Sequence, residues 1–195
     1  MNPMDDIVAT RNLARTSGDN NADICFLALA DNDCRASVRT LVLRDIKGRE
    51  LSVFINETSP KWKLLSAGCH WELLLWYPSQ QKQFRLSGKQ RPLDKAEVHR
   101  NWFNRPEGSK WLDLVYENIT PQTSLIDSRQ SLIDIISQVK TRFDLEKTEP
   151  PSSVSGVKLE ADRIEILNLS NEDRIHDRRV YQWVQGSWEE SFLIP

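Results

Sequence analysis

The chain has 195 residues, 39% hydrophobic and 28% charged, with a formal net charge of −2 and a pI near 6.0. This is the composition of an ordinary soluble protein with room for one sizeable core, or at most two small ones. It offers no global attraction to nucleic acid or to an anionic membrane, so any anion site must be local. The longest apolar runs, residues 24–30 and 73–77, are too short to span a bilayer. The acidic N-terminus lacks the basic-then-apolar order of a signal peptide. Cys25, Cys34 and Cys69 are odd in number and have no metal-type spacing, so they read as reduced thiols of a cytoplasmic protein. Seven tryptophans suit a core, an interface or the wall of a ring-shaped ligand site.

In chain order, residues 5–16 predict a helix, followed by a polar linker over 16–21. Strands are expected at 24–30, 37–46 and 51–55, with turns at 31–33 and 47–48. Thr58-Ser59-Pro60-Lys61 places a capping hydroxyl before proline and opens a helix that stops near Gly68. Strands follow at 71–77 and 82–91. In the second, Phe84 and Leu86 face one way and Gln83, Arg85 and Ser87 the other. Residues 94–104 read as a helix capped by Asp94, and 104–109 as a loop. The strongest helix is 128–145, with Leu132, Ile135, Ile136 and Val139 on one stripe. Strands at 157–167, 173–184 and 188–194 close the chain, the last two joined by a turn at 185–187. Seven or eight strands with a few helices, not alternating, argue for a closed β-barrel with helical additions and against a doubly wound fold. Neither glycine-rich phosphate motif occurs, so a bound phosphate must be held by side chains and a helix N-terminus.

Several clusters suit such a ligand. Arg-Ile-His-Asp-Arg over 174–178 would, as a strand, line Arg174, His176 and Arg178 on one face, fit for a planar dianion. The plainer reading is a solvated strand face. Arg39 and Arg44 bracket an apolar strand and point to opposite faces unless it is bulged, the alternative role being inter-strand ion pairs. Ser59 and Lys61 stand at a helix start, as anion ligands or as a plain cap and a solvated lysine. Gln83 can donate to and accept from a heterocycle edge, or simply face solvent. Arg105 and Ser109 share a loop, either for a ligand or as a surface turn. His70 and His99 have no assignable partner in the sequence.

In their order along residues 22–195, these segments resemble the pyridoxamine 5′-phosphate oxidase family. The resemblance implies one mainly β (α+β) domain over 1–195, a split β-barrel of the FMN-binding type with peripheral helices. Residues 1–21 would form an N-terminal helix and linker, with a helical insertion at about 94–146. It also implies a homodimer with FMN at the interface. Arg39, Thr40, Leu41 and Val42 would lie along the flavin, Ser59 and Lys61 would hold its phosphate, and Gln83 would meet its ring. Gln122 and Arg178 would add further contacts, some from the partner subunit. Arg44, Arg105 and Ser109 would grip a substrate phosphate, and Arg174 and His176 would orient the substrate ring as the catalytic pair. The chain departs from the family pattern at Arg44, Pro60, Asn101 and Leu167. The implied reaction passes a hydride from C4′ of pyridoxamine or pyridoxine 5′-phosphate to flavin N5, with O2 as acceptor. The alternatives are an FMN oxidoreductase using NAD(P)H or another anionic substrate, and a non-catalytic FMN- or pyridoxal-phosphate-binding protein.

Overall fold

Alternation of apolar residues decides which side of each strand turns inward. In the computed structural model, which describes residues 2–31, 33 and 35–195, the helices are α1 (Pro3–Thr16), α2 (Pro60–Ser66), α3 (Lys95–Phe103), α4 (Glu107–Asn118) and α5 (Arg129–Arg142). The strands are β1 (Ile24–Ala30), β2 (Ala36–Lys47), β3 (Glu50–Asn56), β4 (Trp71–Tyr77), β5 (Lys82–Pro92), β6 (Val154–Asn168), β7 (Asp177–Val184) and β8 (Ser187–Phe192). Asn32, in the expected turn at 31–33, and Cys34 lie outside the described residues. The strands form one sheet in the order β3-β2-β1-β4-β5-β6-β7-β8, and β3 also pairs with β6. That extra pairing closes β1 to β6 into a barrel, from which β7 and β8 extend as a hairpin. The fold is the mainly β split barrel with peripheral helices that the sequence implied.

The chain falls into two compact units. The first holds the residues up to Val53, Gly68–Arg91 and Lys158–Pro195. Its interior is built from Leu27, Leu73, Leu75, Phe84, Leu159 and Ile164, all fully buried. Helix α1, whose Asn2 side chain caps it by accepting the Met4 N–H, is tied down by the buried Arg11. That guanidinium donates to the Ala22 and Leu43 carbonyls and to Asp23. Burial raises the Asp23 pKa, but hydrogen bonds from Arg15 and Arg11 outweigh it and leave a net lowering. Cys25 and Cys69 are free thiols, and burial pushes the Cys25 pKa up to about 12, which makes it inert.

The second unit holds Phe54–Ala67 and Pro92–Val157. One cluster in it joins Leu93, Val98, Trp102 and Val154, with Phe54 and Leu145 packed alongside. Another joins Leu114, Val115 and Val139, and the expected stripe residues Ile135 and Ile136 pack against it. No helix among the described residues is long and apolar enough to cross a membrane.

Two expectations are corrected. The strand expected at 173–184 starts only at Asp177. Asp173 Oδ1 accepts the Ile175 N–H at 2.9 Å and the Ser170 hydroxyl at 2.5 Å, and Arg174 adopts φ +61°. A local side-chain turn thus replaces the ladder there, and Arg174 and His176 are not strand neighbours of Arg178. The loop expected at 104–109 ends early, because Pro106 caps α4 and Ser109 lies in its first turn. Pro106 and Gly108 disguised a helix start as a turn. The final hairpin follows expectation: Val184 pairs with Ser187 across Gln185 and Gly186, both at positive φ.

Gly88 in β5 lies close against the backbone of β6. A Cβ there would sit 2.1 Å from the Glu160 carbonyl oxygen and 2.8 Å from the Asp162 nitrogen, both backbone atoms. Gly88→Ala is therefore expected to destabilise the protein by about 2–3 kcal/mol or more, read as a lowered urea midpoint.

Candidate functional site

In the second unit, Ser59 is fully buried and caps α2 by accepting the Trp62 N–H. Two residues on, Lys61 Nζ donates to Gln122 Oε1 at 2.9 Å. The Gln122 backbone N–H in turn donates to Thr58 Oγ1 at 3.0 Å. Thr58 is fixed because its amide and hydroxyl both donate to Asn56 Oδ1, at 2.9 and 2.6 Å. Asn56 is buried and donates to Ser153 Oγ. A chain of polar contacts thus brings together Lys61 and Gln122, 61 residues apart, which the resemblance assigned to the same ligand.

Arg105 follows α3, and its Nη1 is bonded to Asp113 Oδ2 on α4. The same oxygen accepts the Trp102 indole N–H at 3.1 Å. Side-chain exposure is 16% for Arg105 and 4% for Asp113, so the pair lies largely out of water. The Arg105 guanidinium lies 5.8 Å from the Phe54 ring centroid, and its buried Nε has no hydrogen-bond partner among the described residues. Burial pushes the Asp113 carboxyl up, while the Arg105 charge and the Trp102 N–H pull it back. Ser109, in the next helix turn, uses its backbone N–H on the Pro106 carbonyl. His99, without an assignable partner from sequence, meets Glu149 at 2.7 Å.

In the first unit, Arg39, Thr40, Leu41 and Val42 lie on β2 opposite Leu27, Phe26, Cys25 and Ile24. Arg39 Nη2 donates to Ser37 Oγ, but its buried Nη1 meets no acceptor among the described residues. Burial lowers the Arg39 pKa, partly opposed by Cys69. The β2–β3 register slips between Leu43 and Asp45, so the open alternative of a bulge is the one realised and Arg44 sits on it. Gln83 lies on β5 opposite Trp76.

Arg178 reaches Glu165 through Nε at 2.8 Å and Nη2 at 2.7 Å. Arg85 and Arg163 bond the other carboxylate oxygen at 2.6 and 3.0 Å. Glu165 is 3% exposed. Burial raises its pKa, yet the three guanidiniums outweigh that and leave it lowered. In the turn before β7, His176 Nδ1 accepts the Ser170 N–H at 3.0 Å, which places the ring proton of neutral His176 on Nε2.

Asp113 and Glu165, the two buried acids that fix arginines, were not singled out from the sequence. Glu165 had a signal, a carboxylate inside the apolar run of an expected strand. Asp113 had none while α4 went unrecognised.

No family model matches the chain. It is 29% identical over 177 residues to a pyridoxine/pyridoxamine 5′-phosphate oxidase of Pseudomonas putida (strain W619), covering 89% of this chain and 79% of that protein. A protein of the same name from Pseudomonas entomophila (strain L48) is 28% identical over the same shares. Among solved structures, PhzG from Burkholderia lata 383, in complex with tetrahydrophenazine-1-carboxylic acid, matches with a TM-score of 0.83 at 22% identity, over 99% of this chain and 92% of that one. A pyridoxamine 5′-phosphate oxidase-related, FMN-binding protein from Nostoc punctiforme PCC 73102 matches with a TM-score of 0.74 at 18% identity, over 96% of this chain and 95% of that one. The structural likenesses are evidence for the fold.

The Glu165 cluster makes a testable contribution to acid stability. A carboxyl whose folded pKa is depressed stabilises above its unfolded value and loses that contribution as pH falls through the folded one. Glu165→Gln should cost about 1–3 kcal/mol near neutral pH, discounted because the three arginines are partly exposed. The gap between the two proteins in urea titrations should narrow as pH drops below about 4.3, the ordinary glutamate value.

Proposed function

We propose that the chain, similar over most of its length to pyridoxine/pyridoxamine 5′-phosphate oxidases and sharing a fold with PhzG and an FMN-binding protein, is a divergent member of the pyridoxamine 5′-phosphate oxidase-like family and an FMN-dependent oxidase of a small anionic ring compound. The observation that carries the reading is the Lys61–Gln122 contact, which joins two residues that the family resemblance gives to the flavin. The buried Arg39 Nη1 without an acceptor fits the same group, since a buried donor calls for an anionic oxygen. Arg39, Ser59 and Lys61 would hold the FMN phosphate, while Thr40, Leu41, Val42, Gln83, Gln122 and Arg178 would line the rest of it. Bound FMN supplies a two-electron acceptor for a hydride and, with O2, a route to hydrogen peroxide.

The protein's own share is alignment and proton handling. Glu165 holds Arg178 in one orientation through two hydrogen bonds, so little side-chain entropy remains to be lost when a ligand arrives. His176, with its ring proton on Nε2, is set to donate toward a substrate oxygen or nitrogen. Arg174 would cover the substrate ring, and Arg44, Arg105 and Ser109 would meet its anionic end. Pyridoxamine and pyridoxine 5′-phosphate are the first substrates to test, by similarity to the Pseudomonas enzymes. The resemblance extends the proposal to a cytoplasmic homodimer.

Purified protein should carry absorbance bands at about 370 and 450 nm. Lys61→Ala should weaken FMN binding by about tenfold or more in a fluorescence titration. Anaerobic bleaching of those bands by a ring substrate supports the oxidase, whereas bleaching by NAD(P)H alone would move the assignment to a reductase. A protein that binds no FMN would remove the reading altogether.

A further inference from the structure

Thr58 stands directly before Ser59-Pro60-Lys61 and by its place in the chain resembles one more hydroxyl for a phosphate. Its hydrogen bonds give it a different task. A hydroxyl has one proton to donate, and Thr58 directs it to Asn56 Oδ1 at 2.6 Å. The same hydroxyl oxygen then accepts the Gln122 backbone N–H at 3.0 Å. Asn56 is itself anchored. Its Oδ1 also accepts the Thr58 N–H at 2.9 Å, and its Nδ2 donates to Ser153 Oγ at 3.3 Å. Ser153 in turn donates its N–H to Glu117 Oε2 of α4 at 3.1 Å and accepts the Glu57 N–H at 2.8 Å. With its proton fixed on Asn56, the Thr58 hydroxyl can meet Gln122 only as an acceptor.

The segment that Thr58 grips is strained. The Ser124 N–H donates to the Pro121 carbonyl at 3.2 Å, which closes a turn around Gln122 and Thr123, and Thr123 adopts φ +76°. A β-branched residue in that region persists only where its surroundings over-determine it. The bond from the Gln122 N–H to Thr58 is such a restraint. The turn it steadies presents Gln122 Oε1 to Lys61 Nζ at 2.9 Å. Burial and the Asp113 charge push the Tyr116 pKa up, and a hydrogen bond with the same Gln122 side chain pulls it back. Lys61 is the one cation within residues 54–62. Its four-carbon stem loses much rotamer freedom when it grips an anion, and less if it is already held.

Resting on the FMN reading above, we infer that Thr58 is a positioning residue of the flavin phosphate site. It donates nothing to the phosphate; it holds the Gln122 turn, and Gln122 holds Lys61 in the orientation that receives the dianion.

The test compares FMN with riboflavin, which lacks the phosphate, in fluorescence titrations of the full chain. Thr58→Val keeps the shape and the backbone bond to Asn56 but removes the hydroxyl; Thr58→Ala is a second variant without it, and Thr58→Ser retains it. Thr58→Val and Thr58→Ala should lower the preference for FMN over riboflavin by about fivefold or more, with riboflavin affinity within about twofold of the unmodified protein. Thr58→Ser should restore the preference. A purely structural role would weaken both flavins alike, and that result overturns the inference. It is equally overturned if the preference is unchanged without the hydroxyl, or if Thr58→Ser loses as much as Thr58→Val. If the unmodified protein takes up neither flavin, the FMN reading falls, and the comparison is made with inorganic pyrophosphate. Weaker pyrophosphate binding in Thr58→Val, restored in Thr58→Ser, would then support the positioning role, and equal behaviour of the three proteins would overturn it.

Discussion

Pairing of β3 with β6 closes the barrel, and the placement of polar groups in the first unit depends on that closure. An open sheet would leave two edges and a half-solvated face, whereas a closed one makes every inward residue core. Strand β6 is 15 residues long because it serves β5, β7 and β3 along its length. Closure also demands close backbone approach, met at Gly88 beside Glu160 and Asp162. Once the ring is shut, Ile164 and Ile166 must face inward, and Glu165 between them must face outward. The carboxylate that collects Arg85, Arg163 and Arg178 is thus placed by strand alternation, not by a loop.

The recurring device in both units is a cation fixed by a partner. Arg11 is held by Asp23 and two carbonyls, Arg178 by Glu165, Arg105 by Asp113, and Lys61 by Gln122. Buried or half-buried charges without such partners would be expensive. The choice of partner sets what each cation can still do. The amide opposite Lys61 carries no charge of its own, whereas the carboxylate opposite Arg105 cancels that guanidinium's charge. Residues that look equivalent in a sequence, a lysine and an arginine both read as phosphate ligands, come out electrostatically different.

The parts of the site that were legible in the sequence lie in regular elements with local rules. Ser59 before Pro60 announced its own cap, and the alternation around Gln83 fixed its face. The unreadable parts depended on competition or distance. Arg174 and His176 looked like strand residues because Val180, Tyr181 and Trp183 favour strands, yet Asp173 captures the backbone first. Arg44 could not be assigned a face from parity, since the slip in register occurs at that residue. Asp113 was invisible because Pro106 and Gly108 read as a turn.

By itself, the sequence determined the strands and most of the helices, the order of the basic and amide clusters, and the family they resemble. These follow from nearest-neighbour properties: apolar period, capping hydroxyls and turn residues act over a few positions and need no fold to be read. Only the tertiary structure decided which acid meets which arginine, because such contacts join residues up to 111 positions apart, as Arg49 and Glu160 do. Their net charge depends on burial that no local pattern records.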